Sequence, residues 1–158
     1  MEEEFPGAVG TSASLALRLG QAIFSLASLL FMCVGVEFYA YTSFCFLVTI
    51  KGLTIPWSLT LAMVDAFSVF VKRPSRQLQI VSIIVIGDWV LSFLSLAAAC
   101  STASVADFMI TEASAFFCGK KLCSRYQLSA AMAFLSWCLS TGSALFNLWL
   151  LPSLYTHL

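Results

Sequence analysis

The 158 residues are 60% hydrophobic and 10% charged, with a mean hydropathy of +0.94. Soluble domains run near a quarter charged, so this composition excludes an ordinary soluble domain and leaves an integral membrane protein, with lipid as its first partner. Eight basic and eight acidic side chains cancel, and no basic excess points to a nucleic-acid partner.

A spanning helix needs about 20 mostly apolar residues. Four stretches qualify, roughly 13–36, 41–71, 78–101 and 128–151. They predict an all-α, four-helix membrane bundle, a single domain over 1–158, with its longest connection an exoplasmic loop over 102–127. The first stretch is not a secretory signal, because its flank, Met1-Glu2-Glu3-Glu4, is acidic and its apolar run is too long. Arg18 is the only charge over 15–36, and Gln21 follows it by one turn on the same face.

The second stretch exceeds what a bilayer needs and is interrupted by Lys51-Gly52 and Pro56. It is either one long tilted helix or a helix whose first turns lie outside the hydrocarbon. Counting back from Lys72 at 1.5 Å per residue puts Lys51 about 31 Å away, near the far interface, where it need not be buried. Asp65 lies seven residues before Lys72, which opens the basic turn 72–76. It reads either as a hydrated surface carboxylate or as the third member of a polar cluster on the cytosolic side.

In the third stretch Asp88 is the only charge over 78–106. An isolated ion in a span costs at least about 2.5–3.5 kcal/mol. Arg18 and Asp88 have opposite signs and sit on spans that run in the same direction, at depths of roughly 9 and 15 Å. A pair would offset part of the penalty of burying either ion. It would serve as a structural bridge that sets helix register, or as the lining of a polar path.

Small residues recur at four-residue spacing in three stretches: Ser12, Ala16 and Gly20; Ser95, Ala99 and Ala103; Ser136, Ser140 and Ala144. Such ridges let helices approach closely, either within one bundle or between protomers. The region 102–125 carries Val105, Phe108, Met109, Ala115, Phe116 and Phe117. That is apolar for a hydrated loop, and it predicts contact with the bundle top, the membrane surface or a partner.

Orientation rests on cysteine. The basic residues Lys72, Arg73 and Arg76 of one loop balance Lys120, Lys121 and Arg125 of the next. Cys118 and Cys123 lie in the latter, and only an exoplasmic loop would keep them oxidised as a disulfide. Free thiols there, or other partners, are the alternative. Both termini are then cytosolic. Cys33, Cys45, Cys100 and Cys138 lie in or beside apolar segments, as small hydrophobes do.

Four tryptophans and four tyrosines partly fit interfacial belts, with Trp89 reading as bundle packing. His157 is the only histidine, and Asn147-Leu148-Trp149 is not a glycosylation sequon. With no Cys-x-x-Cys, zinc-type spacing, Gly-rich phosphate loop or acid–base set, the sequence predicts no metal, no cofactor and no enzyme.

The order of these features resembles the Casparian strip membrane domain protein-like (CASP-like) family of plants, small four-span proteins related to MARVEL-domain membrane organisers. The likeness runs from Leu17-Arg18-Leu19-Gly20-Gln21 to Ala131-Met132-Ala133-Phe134-Leu135-Ser136-Trp137. Arg18 and Asp88, in Ile86-Gly87-Asp88, match the family's marker arginine and aspartate. Met63-Val64-Asp65, Val71-Lys72-Arg73, Ala97-Ala98-Ala99-Cys100 and the Cys118/Cys123 pair are similar to its subgroup five. The first exoplasmic loop, Glu37-Phe38-Tyr39-Ala40-Tyr41-Thr42, departs from the motif of the strip-forming members.

The resemblance implies a non-enzymatic plasma-membrane scaffold. It would form homo-oligomers, hetero-oligomers with related members, and a platform for wall-modifying partners. The competing expectation is a small transporter or channel lined by Arg18 and Asp88.

Overall fold

The computed structural model describes residues 11–34, 38–71, 78–112 and 120–155. They form α1 (Ser12–Cys33), α2 (Thr42–Val71), α3 (Leu78–Glu112) and α4 (Lys120–Tyr155), with a single 3-10 turn at Phe38–Ala40 leading into α2. Each helix contains a stretch long and apolar enough to cross a membrane. Thr11 caps α1, its hydroxyl accepting from Ser14 N–H at 3.2 Å, which satisfies one of the amides a helix start leaves open. Neighbours in sequence are neighbours in space, and α4 closes the ring against α1. Successive helices run antiparallel. The near end therefore holds the starts of α1 and α3 and the ends of α2 and α4, and the far end holds the opposite termini.

The all-α four-span architecture is as expected, and two details differ. The second stretch is one continuous helix of 30 residues, about 45 Å long. Pro56 sits within it on an exposed face; it lacks an amide hydrogen, and its own carbonyl accepts from Thr60 Oγ1 at 2.7 Å. The expected loop over 102–127 is a correction: α3 continues to Glu112 and α4 begins at Lys120. The segment 102–112 packs through Thr102, Ala106 and Met109, which are buried, while Phe108 and Ile110 are exposed on its outer face. Ala115, Phe116, Phe117 and Cys118, like the basic turn 72–76 and the termini, lie outside the described residues.

The inward face of every helix follows a 3.5-residue period. On α1 it is Thr11, Ser14, Arg18, Gln21, Ser25, Ser28 and Met32; on α4 it is Tyr126, Ser129, Ala133, Ser136, Ser140, Ser143 and Asn147. On α2 the same alternation of three and four runs from Phe44 through Lys51, Ser58 and Asp65 to Ser68, and on α3 from Val81 through Asp88 and Ser95 to Met109. That period keeps a seam facing its neighbours in a left-handed bundle. The seam carries hydroxyls, amides and charges, whereas the outside carries the large apolar side chains. Phe70 is 85% exposed and Met63 74%. A soluble helix is patterned the other way round. In lipid, the outward apolar face is solvated and the polar face must find partners inside.

The two ends of the core differ. Toward the far end Met32, Phe44, Leu47, Ala99, Ala106, Tyr126 and Ala133 belong to one apolar cluster, with the Phe44 and Tyr126 rings 4.7 Å apart. Toward the near end the seam is polar.

Candidate functional site

The polar half is built around Asp88, seven residues past Val81, the first buried residue described in α3. Arg18 of α1 reaches across the ring as a two-pronged donor: Nη1 lies 2.7 Å from Asp88 Oδ1, and Nη2 pairs with Oδ2. Both side chains are only 1% exposed. Trp57 of α2 donates its indole N–H to the same Oδ1 at 3.0 Å. One carboxylate thus joins three helices, and both of its oxygens are engaged, as a buried charge requires.

Gly87 makes room for this arrangement. A Cβ there would meet the Trp57 ring, with Cη2 at 2.8 Å. A side chain there would displace the indole or part α2 from α3. Gly20 allows a similar approach on α1, where a Cβ would lie 3.0 Å from Leu139 Cδ1 of α4.

Hydroxyl pairs continue along the seam. Ser14 donates to Asp65 Oδ2 at 2.6 Å. Ser25 and Ser136 meet at 2.7 Å, and Ser92 and Thr141 at 2.8 Å. Ser28 and Ser129 exchange bonds with each other's backbone carbonyls, at 2.9 and 2.7 Å. At the boundary with the apolar half, Lys51 Nζ donates to Ser95 Oγ at 2.7 Å and approaches Ala133 O at 3.4 Å.

The structure brings Arg18 and Asp88 together. It places Gln21 one turn above Arg18, fully inside, but without a hydrogen bond from its side chain to either ion; its backbone carbonyl accepts from Ser136 Oγ at 3.4 Å. Asp65 is buried and bonded to Ser14, so it is not a hydrated surface carboxylate. Lys51, expected to need no burial, is 0% exposed inside the bundle. Its position, nine residues into a continuous α2, sets it about 14 Å from the helix start.

Ser95, Ala99, Ser136, Ser140 and Ala144 are buried within this bundle; Ser12 and Ala16 are exposed, and Ala103 and Gly20 are half-buried. Cys123 is buried. Cys33, Cys100 and Cys138 are free thiols, and the Cys45 thiol donates to the Tyr39 carbonyl at 3.8 Å. Among the described residues, no three His, Cys, Asp or Glu side chains come together to hold a metal ion.

Trp57, Lys51 and the serine pairs were not singled out as site residues from sequence. Their signal is present in α1, where Ser14, Arg18, Gln21, Ser25 and Ser28 step by four, three, four and three. A polar stripe at that spacing inside a span marks the inward face.

The arrangement defines a class, a membrane four-helix bundle tied by an intramembrane arginine–aspartate pair. Comparison with known proteins makes the class definite. Residues 7–139 match the Casparian strip membrane protein domain. The chain is 60% identical to CASP-like protein 5C1 of Oryza sativa subsp. japonica over 93% of its own length and 94% of the relative's. It is 56% identical to CASP-like protein 5C3 of Arabidopsis thaliana, covering 96% and 98%, and 47% identical to CASP-like protein 5B1 of Ginkgo biloba, covering 96% and 84%. The chain therefore belongs to the CASP-like family of plant membrane proteins. No solved structure matches it.

Proposed function

We propose that this protein is a non-enzymatic scaffold of the plasma membrane, which associates with itself and with related family members to organise a membrane platform. The carrying observation is the closure of the charged groups on one another. Arg18, Asp88 and Trp57 form a contact between three helices in the bundle centre in which both carboxylate oxygens are engaged, a construction suited to fixing a shape. Family membership supports the same reading.

Since the small residues Ser95, Ala99, Ser136, Ser140 and Ala144 are inside, assembly falls to the outer apolar faces, where van der Waals packing drives association in lipid. Leu at Ser140 or Ala99 should then damage folding before it affects assembly. Both termini lie on the cytosolic side in this reading. In the same reading Cys118 and Cys123 are paired as an exoplasmic disulfide. Wall-modifying proteins are the proposed clients of the platform.

The test has two arms. Differently tagged copies should co-purify in mild detergent and form slowly diffusing patches in plant plasma membrane. Proteoliposomes should show no saturable solute flux that depends on Asp88. Flux abolished by Asp88→Asn in protein that stays folded would replace the scaffold with a transporter.

A further inference from the structure

Among the buried side-chain polar atoms with no hydrogen-bond partner among protein groups are Ser143 Oγ of α4 and three that lie on α1 and α2 beside the ion pair: Arg18 Nε, Gln21 Oε1 and Ser58 Oγ, all in side chains at most 1% exposed. Their positions coincide in depth. The Ser14–Asp65 bond fixes the antiparallel register of α1 and α2, and the same register sets Gln21 opposite Ser58, with Arg18 one turn away. The Ser58 hydroxyl also does not turn back on its own helix, although Thr54 and Thr60 of α2 both do so, donating to Ile50 O and Pro56 O.

We infer that an ordered water molecule is bound between α1 and α2 at this level, accepting from Arg18 Nε–H and donating to Gln21 Oε1, with Ser58 Oγ as its third partner. The chemistry of the three atoms selects water. One is an obligate donor, one an obligate acceptor and one either, and a buried water typically makes about three bonds to such groups. The guanidinium disfavours a cation at this place, and the Gln21 carbonyl disfavours an anion. Lipid cannot supply these bonds, so groups left without them would be expensive. The pair then has a wet flank on α1–α2 and a dry one against the Trp57 indole. The inference is independent of the scaffold proposal.

Proton-detected solid-state NMR on the full chain in lipid bilayers, with magnetisation transferred from water, tests it. Arg18 Nε–H and the Gln21 side-chain amide should receive signal, while the amides of Met32 and Phe44 in the apolar half should not. Ser58→Ala, which removes one of three partners, should reduce the transfer at Gln21. Adding Gln21→Met should abolish it at Arg18, with the remaining spectrum unchanged as the measure of folding. Absence of transfer at Arg18 in the unmodified protein, or transfer indifferent to Ser58→Ala, would overturn the assignment. Transfer that continues past Lys51 to the far end would show an open conduit in place of a closed site.

Discussion

The near half of this bundle is held by directional bonds around a buried ion pair, and the far half mainly by shape, with the Ser28–Ser129 exchange as its hydrogen-bonded contact. Around Arg18 and Asp88 the seam is a series of donors and acceptors that fit in one register only. Phe44, Leu47, Ala99, Ala133 and Tyr126 form an apolar cluster, with Lys51 at its edge against the Ala133 carbonyl. In water the second arrangement would be the stabilising one, because apolar burial drives folding there. In lipid the apolar side chains gain little by facing inward, as the tails solvate them equally well. Polar groups have no such freedom. The near half therefore specifies which face of each helix is inside, and the far half follows by close packing.

The largest expected effect tests that division directly. Arg18→Leu or Asp88→Leu leaves the other ion buried without its counterion, a loss of about 3–5 kcal/mol. Reversible unfolding in lipid–detergent mixtures should show it, and the double replacement should be more stable than either single one. Equal instability of the double variant would mean that the pair is not what holds the near half.

Gly87→Ala comes next. The added methyl occupies the place of the Trp57 ring, so either the indole leaves Asp88 or the α2–α3 packing opens, at about 1–3 kcal/mol. Combining it with Trp57→Phe should relieve the clash and cost less than the two separate effects added together. Strict additivity in the same unfolding measurement would show that Gly87 acts elsewhere.

In the far half, Phe44→Ala should be milder than its counterpart in a soluble core, where such truncations cost about 3–5 kcal/mol. Lost packing remains, but the transfer term from water is missing, and about 1–2 kcal/mol is expected. A loss as large as that of Arg18→Leu would erase the contrast between the halves.

The sequence made the spans and the ion pair legible for one physical reason: a charge in an apolar run is expensive and therefore conspicuous. Serines and threonines are not. Ser25, Ser28, Ser129 and Ser136 are common in any membrane helix, and only their common 3.5-residue spacing sets them apart. Trp57 stayed hidden because an indole serves packing, interface and hydrogen bonding alike, and its role depends on the missing side chain at Gly87 of another helix. The continuation of α3 and α4 beyond the bilayer was illegible for the opposite reason. Bilayer thickness limits how much helix must be apolar, and sets no limit on how far a helix continues outside. Lys51 was misplaced because depth was counted back from Lys72, which cannot show where the helix meets its neighbours.

Lys51 also supplies the smallest expected effect. Like Arg18 it is a buried base, but its bonds go to a hydroxyl and a backbone carbonyl, and among the described residues no carboxylate pairs with it. Replacing it by methionine, of similar length, orphans little. The Ala133 carbonyl lies within α4, where it accepts from its own helix, and the Ser95 hydroxyl can turn to a carbonyl one turn back in α3. The desolvation of the amine is relieved at the same time. Lys51→Met should therefore be neutral or slightly stabilising, within about 1 kcal/mol, under conditions in which Arg18→Leu unfolds the protein. The two substitutions remove the same formal charge from the same bundle, so their difference isolates what a buried counterion contributes. If Lys51→Met proves as damaging as Arg18→Leu, an anion must face Lys51 from outside the described residues, and the boundary between the polar and apolar halves lies further toward the far end.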